Sequence, residues 1–460
     1  MRFLFASLQH IESDFYGRVG RNLRHRGHDV AHLTYSRRAA MVLRRGGDEA
    51  YCLPDLMKET PPTQPWREEE ARIVARHPIA NLADVYGTDP FCRRRDGAGC
   101  AEWTVRQLVA VEALFERLRP EVVIPEVGNE SLRTVAHLVG SARGATTLFL
   151  MYTLFDDPLR LYAGTMDGPI VTPAELSALS ASEEAELDDF ITRYVARNRP
   201  IREYRTHAVG RERIRAAARH FAVRAMWDRD NVYLTPASWL ARDLRAKARA
   251  RLARRLYSDG PPEGSFVYFP LQVTDDYKIL RLRPNCVDQE SLIERLADSL
   301  PADVEVVIKE HPMTIGRTSL PMLRRLAEHR RIRVVDPYTS SLELIRRSAG
   351  VATISSTVGL EGLMLERPVL TLGRPFYSGY GATLDADGSE GIAELAPELP
   401  GFRPDRDLVR RFLAAAMRHC HPGAPVLVDS SDENAGRLAA TLDRAAGRLG
   451  SADRPAIPHI

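Results

Sequence analysis

Between Phe266 and Gly381, strand-like and helix-like segments alternate, and this constrains the fold more than any other feature of the 460-residue chain. Val304-Glu305-Val306-Val307-Ile308-Lys309 reads as a strand running into Glu310-His311-Pro312; helical spacing follows from Leu320 to His329, then a strand from Ile332 to Val335. After a loop over Asp336 to Ser341 and a short helix, the strand Gly350 to Ile354 leads into Ser355-Ser356-Thr357. A helix from Val358 to Leu365 and a buried strand from Pro368 to Leu372 complete the run. Such alternation implies right-handed crossovers and a parallel sheet, whose ligands sit beyond the carboxyl ends of the strands. His311 and the Ser355 to Thr357 cluster both fall there and are expected to face one site.

That site suits an anion, and a nucleotide-sugar in particular. A helix N-terminus offers unpaired N–H groups and a positive dipole end, and neighbouring hydroxyls add donors to a phosphate. His311 can donate to a phosphate oxygen and, when protonated, offset charge on a departing phosphate. Pro312 biases His311 toward an extended backbone at the strand mouth. Each motif also has a plainer reading, since His-Pro after a strand can be an ordinary turn and Ser-Ser-Thr can be simple capping. Their joint placement favours the ligand reading.

Composition narrows the class. The length allows two domains with their own cores, and 44% hydrophobic and 7% aromatic residues describe a globular protein. A net charge of +3 is too small to indicate nucleic acid. The five cysteines, Cys52, Cys92, Cys100, Cys286 and Cys420, form an odd set without C-x-x-C spacing, so neither a disulfide framework nor a zinc site is expected. The apolar start Met1 to Leu8 is too short for a signal sequence, and no run approaches the ~20 apolar residues of a membrane span. A cytoplasmic protein is expected, with peripheral contact at the inner face of the membrane as a further option.

The N-terminus reads as a strand from Arg2 to Ser7, a polar loop over Gln9 to Ser13, a helix from Asp14 to Arg26 and a strand from Asp29 to Thr34, with Gly27 where a helix C-cap belongs. A second α/β unit has strand Glu121 to Ile124, loop Pro125 to Asn129, helix Glu130 to Ser141 and strand Thr146 to Met151. Residues from about Ala40 to Glu102 read as irregular, with loops and short helices able to shape an acceptor pocket. Pro173 to Arg255 is charged and helical in pattern, and Asp259 to Gly264 marks a linker. Arg245, Lys247, Arg249, Arg251, Arg254 and Arg255 share a helix with Leu244, Leu252 and Leu256, a pattern open to contact with an anionic membrane or glycolipid, or to a solvated interdomain helix. Asp407 to Cys420 and Asn434 to Leu449 read as closing helices.

Four motifs in order carry a resemblance to a known family: Phe269-Pro270-Leu271-Gln272 followed by Asp275-Asp276; Lys309-Glu310-His311-Pro312; Ser355-Ser356-Thr357-Val358-Gly359-Leu360-Glu361-Gly362; and Gly373-Arg374-Pro375-Phe376-Tyr377-Ser378-Gly379-Tyr380-Gly381. The chain resembles the bacterial capsule polysaccharide biosynthesis family, which includes Kdo transferases using CMP-Kdo. The resemblance implies an α/β fold of GT-B type, two Rossmann-like domains facing a cleft. On it, residues 1–172 form an N-terminal acceptor domain, 173–260 a helical connecting region and linker, and 261–400 the nucleotide-sugar donor domain. Residues 401–460 form C-terminal helices that cross back to the N-terminal domain. The resemblance further implies donor contacts from Gln272, Lys309, His311, Ser355, Ser356, Thr357 and Glu361, with His311 and the serines on the CMP phosphate and Glu361 near the ribose. Gly379 to Gly381 belong to a loop closing on the donor, or to a plain turn.

Relatives carry an acidic-acidic-glycine motif at an N-terminal strand end, and this chain lacks it intact. Glu126, in Pro125-Glu126-Val127-Gly128, is the first candidate for the catalytic carboxylate; Glu130 and the Asp156-Asp157 pair are the others, with Asp157 carried forward as a paired carboxylate. The implied partners are a nucleotide-sugar donor and a glycan or glycolipid acceptor. No metal and no further cofactor is expected, because donors such as CMP-Kdo already carry a good leaving group and no obvious Asp-x-Asp metal motif is read at a strand end. The alternatives are a CDP-glycerol-type polyol-phosphate transferase, against which Thr353-Ile354 before the serines counts, a UDP-sugar 2-epimerase, and a non-catalytic glycan-assembly protein.

Overall fold

In a computed structural model, residues 1–196 and 211–449 are described. The strands and helices run, in chain order, β1 (Arg2–Ser7), α1 (His10–Arg24), β2 (Asp29–Thr34), α2 (Arg37–Arg45), β3 (Glu49–Cys52), α3 (Leu53–Glu59), α4 (Trp66–Arg76), α5 (Ala83–Tyr86), α6 (Gly97–Leu118), β4 (Val122–Ile124), α7 (Ser131–Ala142), β5 (Thr146–Tyr152) and β6 (Leu159–Ala163). Three helices follow, α8 (Ala181–Ala196), α9 (Arg211–Met226) and α10 (Pro236–Ala253). Then come β7 (Phe266–Pro270), α11 (Tyr277–Leu280), α12 (Gln289–Ser299), β8 (Glu305–Lys309), α13 (Leu320–Glu328), β9 (Ile332–Val335), α14 (Ser341–Arg347), β10 (Gly350–Thr353), α15 (Thr357–Met364), β11 (Val369–Thr371), β12 (Leu384–Asp385), α16 (Gly388–Leu395), α17 (Arg406–Arg418) and α18 (Asp432–Leu449).

These elements form two Rossmann-like α/β units. Among the described residues, unit 1 comprises 1–166, 215–236 and 420–449; unit 2 comprises 167–196, 211–214 and 237–419. The segment read from sequence as a single connector, 173–260, is thus divided between the two, because α9 packs with unit 1 while α8 and most of α10 belong to unit 2. The C-terminal stretch 401–460 is likewise divided at Cys420.

Unit 1 holds a six-stranded sheet in the order β3-β2-β1-β4-β5-β6, parallel except for the β5–β6 hairpin. Side chains alternate across its faces as strand geometry requires. Leu4 and Ala6 of β1 enter a core with Leu33, Val123 and helices α3, α6 and α7. Phe3 and Phe5 enter the opposite core with Phe15, Val19 and Leu23 of α1 and Leu438 and Leu442 of α18. The terminal helix therefore finishes a core begun by the first strand. Gly20 lets α1 lie close on β2, since a Cβ there would come within 2.9 Å of Val30 Cγ1 and 3.1 Å of His32 Nε2.

Two expectations in this unit need correction. Helix α1 begins at His10, four residues before the expected Asp14, because the polar residues read as a loop satisfy the helix start: Glu12 Oε2 accepts from Leu8 N at 2.8 Å and Ser13 Oγ bonds Gln9 O at 3.0 Å. The stretch from Ala40 to Glu102 is largely regular, with edge strand β3, helices α3 to α5 and the first turn of α6, which Asp96 caps through Gly99 N at 2.7 Å.

Unit 2 repeats the pattern with the order β12-β11-β10-β7-β8-β9, wholly parallel. Val267 and Phe269 of β7 and Val306 and Ile308 of β8 pack against Ile293 and Leu296 of α12, Leu323 and Leu326 of α13 and Ile392 of α16. Strand order reverses between β10 and β7 here, and between β4 and β1 in unit 1. A parallel sheet opens its binding crevice at the carboxyl ends flanking such a reversal.

Candidate active site

In unit 2 the reversal is lined by the residues after β7 and β10. Gln272 follows β7, and with its amide oxygen turned toward β10 it accepts from Ser355 N at 2.8 Å and Ser356 N at 2.6 Å. Buried Gln289 clamps the Gln272 backbone from the other side, accepting from its N–H at 2.9 Å and donating to its carbonyl at 3.1 Å. Ser356 is the N-cap of α15, its hydroxyl accepting from Val358 N at 3.2 Å, while its own N–H also faces Thr353 Oγ1 at 3.2 Å. Tyr377, fully buried, donates to the Ser356 carbonyl. Gly359 makes that contact feasible, since a Cβ would fall 2.2 Å from Tyr377 Oη. The serine loop is thus braced from three directions and presents N–H groups and a helix end, a combination suited to phosphate oxygens.

Strand β8 delivers the second group. Lys309, 3% exposed at its end, donates to Thr339 O at 2.8 Å and Ser341 Oγ at 2.6 Å. Burial lowers its pKa to about 8, opposed by the Glu361 and Asp336 carboxylates. Glu361 lies one turn into α15; burial raises its pKa, opposed by a 2.6 Å hydrogen bond from Tyr194 Oη of α8 and by the Lys309 charge. His311 opens to solvent, and desolvation by the surrounding protein together with the Lys309 charge lowers its pKa. At neutral pH it is therefore a neutral donor until an anion arrives, rather than a standing cation. The loop that carries it is set by Glu310, fully buried and bonded by Tyr257 Oη, with Thr318 and the Gly316 N–H also holding its carboxyl.

Thus unit 2 brings Gln272, Ser355, Ser356 and Thr357 together at the sheet reversal and sets Lys309 and Glu361 facing each other in charge. Gln289 and Tyr194 were not singled out in the sequence, and Tyr377 entered only within the fourth motif, without a role. The contacts were hidden because each reaches the site from a distant element, 17, 167 and 21 residues from its partner.

In unit 1 the reversal is lined by the loops after β1 and β4, and Glu126 lies there. It is 4% exposed and holds a left-handed backbone, φ 60°, that non-glycine residues rarely adopt. Burial raises its pKa to about 7, opposed by the Arg133 charge and by the N–H groups of Val127 and Val426, and reinforced by Glu12. Its Oε1 has no hydrogen-bond partner among the described residues. Arg133 is held by Glu12 at 3.1 Å, Glu130 at 2.9 Å and the Pro125 carbonyl at 3.3 Å. Gly128 leaves room for this cluster, since a Cβ there would meet Glu130 Oε2 at 2.3 Å. Glu130 is accordingly an Arg133 partner, and Asp89 caps the following helix by accepting from Ser131 N and Oγ, both at 2.6 Å. Asp156 and Asp157 are exposed in the turn between β5 and β6, toward the edge of the sheet. A buried carboxyl titrating near neutrality with one free oxygen suits proton transfer; an exposed aspartate in a hairpin turn does not.

Among the described residues, no group of three or more His, Cys, Asp or Glu side chains is disposed to hold a metal ion, and no helix is long and apolar enough to cross a membrane.

Residues 217–417 match the model of the family described as "Capsule polysaccharide biosynthesis protein". Among curated proteins, Protein FixF of Sinorhizobium fredii is 30% identical over 165 residues, 35% of this chain and 40% of FixF. The Capsule polysaccharide modification protein LipB of Neisseria meningitidis is 33% identical over 129 residues, 26% of this chain and 30% of LipB. The matches therefore span less than half the length of these relatives. Among solved structures, the Thermosulfurimonas dismutans KpsC beta Kdo 2,4 transferase aligns over 64% of this chain and 79% of its own, with 19% identity and a TM-score of 0.33. The UDP-GlcNAc 2-epimerase of Methanocaldococcus jannaschii aligns over 91% of this chain and 100% of its own, with 15% identity and a TM-score of 0.29. The family match encloses β7 to β11, His311 and the serine loop, so over residues 217–417 the chain is similar to the capsule polysaccharide biosynthesis protein family.

Proposed function

We propose that the chain is a glycosyltransferase of surface polysaccharide biosynthesis, moving an acid sugar of the Kdo type from a CMP-linked donor to a glycan or glycolipid acceptor. The observation that carries this reading is the braced serine loop at the sheet reversal of unit 2, with its N–H groups occupied by a neutral amide oxygen that a phosphate oxygen can displace. On this reading the Ser355 and Ser356 hydroxyls and N–H groups, the α15 N-terminus and His311 bind the donor phosphate, and Glu361, hydrogen-bonded by Tyr194, accepts from the ribose. Their donors offset the charge that grows on the phosphate as the glycosidic bond breaks. Glu126 takes the proton of the acceptor hydroxyl, for which a pKa of about 7 is well matched. The reaction needs no divalent ion on this reading, because the phosphate charge is met by protein donors.

The family match over residues 217–417 supports the polysaccharide assignment, and the buried carboxyl of Glu126, its pKa raised to about 7, favours an enzyme over a non-catalytic assembly protein. The test is release of CMP from CMP-Kdo in the presence of a lipid-linked or oligosaccharide acceptor, with EDTA present throughout. Turnover that falls by ~10² to 10⁴ in Glu126→Gln while CMP binding persists supports the reading. Binding of CMP without turnover in the parent protein returns the scaffold reading, and turnover abolished by EDTA removes the metal-free mechanism.

A further inference from the structure

We propose that α10 lies flat on an anionic phospholipid bilayer and so docks unit 2 to a membrane surface. Leu240, Leu244 and Leu252, spaced four and eight residues apart, fall on one side of the helix and are exposed by 36, 52 and 51%. Ala237 and Ala248 are exposed on the same side. Solvated leucines in such a row cost free energy in water, and a soluble helix normally turns that row inward. Here the inward face is built of small residues instead: Ala246 and Ala253 are buried, at 2 and 1% exposure.

Charge names the occupant. From Arg242 to Arg255 the sequence has seven cations, Arg242, Arg245, Lys247, Arg249, Arg251, Arg254 and Arg255, against one acid, Asp243. That acid is turned to Arg317 at 3.6 Å and does not offset the outer face. Arg245, Arg249 and Arg251 are exposed beside the leucines. An apolar stripe bordered by arginines matches a bilayer boundary, where leucines enter the acyl region and guanidinium groups meet lipid phosphates. A protein groove would satisfy the leucines but leave six net positive charges to be matched.

The inward face also ties the helix to the donor site. Gly316, φ 74°, lies so close to α10 that a Cβ would meet the Ala246 carbonyl oxygen at 2.0 Å, and Asp243 pairs with Arg317 in the same loop. This is the loop that begins at His311. Docking through α10 would therefore hold the His311 loop at a fixed depth from the lipid surface, as suits an acceptor presented on a lipid. The membrane proposal itself stands on α10 alone and does not depend on the identity of the donor.

The test is co-sedimentation of the purified full chain with vesicles of phosphatidylcholine alone and of phosphatidylcholine with about one third phosphatidylglycerol. The parent protein is expected to pellet with the anionic vesicles only, and less as salt rises. Leu244→Ser with Leu252→Ser, and separately Arg245→Gln with Arg249→Gln, are each expected to weaken the partition about tenfold while melting as the parent does. Absence of parent binding to anionic vesicles overturns the proposal, as does unchanged binding of the leucine variant. Leucine-dependent self-association without vesicles overturns it too, by assigning the stripe to a second copy of the chain.

Discussion

At the scale of single residues, the account turns on carboxyl and amine groups held away from their ordinary ionisation. Glu126 titrates near 7 and Lys309 near 8. With Glu126 as base, kcat/KM rises with pH through about 7; with the Lys309 ammonium needed beside Glu361, it falls as pH passes about 8. A bell-shaped profile between these limbs is expected, with the acid limb missing from the residual activity of Glu126→Gln. The same shift has a cost in stability. A carboxyl whose folded pKa is raised contributes stability that is fully present below its ordinary value near 4.5 and lost as pH rises through 7, on the order of 3 kcal/mol once ionised. Glu126→Gln should therefore raise Tm at pH 8 and leave it nearly unchanged at pH 4; a variant that melts lower at pH 8 would show that the carboxylate is structurally required.

At the scale of elements, the site depends on how tightly α15 is set on its neighbours. Gly359→Ala would place a methyl group against Tyr377 Oη, pushing the ring off the Ser356 carbonyl and loosening the serine loop. Overpacking of this kind costs roughly 1–3 kcal/mol. The expected result is a lowered Tm together with weaker nucleotide binding, whereas unaltered binding would separate the loop from the ligand. This is also the scale at which the sequence was most informative. The strands and helices read between Val304 and Leu372 are placed to within a few residues by apolar periodicity, because each is short, strongly patterned and bounded by turn residues. The region from Ala40 to Glu102 resisted the same reading, since β3 is a four-residue edge strand and α4 and α5 each bury a single apolar side chain, Ile73 and Val85. The early start of α1 was hidden for another reason, its first turn being satisfied by Glu12 and Ser13, residues that equally mark loops.

At the scale of the whole molecule, two α/β units share one chain that leaves unit 1 at residue 167, returns over 215–236, and returns again from Cys420 onward. The alternation of strands and helices revealed two such units, but not that α9 and α18 belong to the first, because a helix's own periodicity does not name the surface it covers. The apolar face of α18, Leu438 and Leu442 with Ala435 and Ala439, is recognisable in the sequence; its partners Phe15, Val19 and Leu23 lie more than 400 residues earlier. Function followed the same rule. Residues in local motifs, such as Ser355 and His311, were identifiable, whereas Gln289, Tyr194 and the Glu12–Arg133 pair, which set those groups or the Glu126 pocket, become visible only in three dimensions. The central claim is that unit 2 holds a CMP-linked donor, and calorimetric titration of the full chain with CMP, CDP, UDP and GDP, repeated on His311→Ala, tests it most directly. The account predicts preferential binding of CMP that weakens about tenfold or more when the imidazole is removed; preference for UDP or GDP, or no binding of any nucleotide, would contradict it.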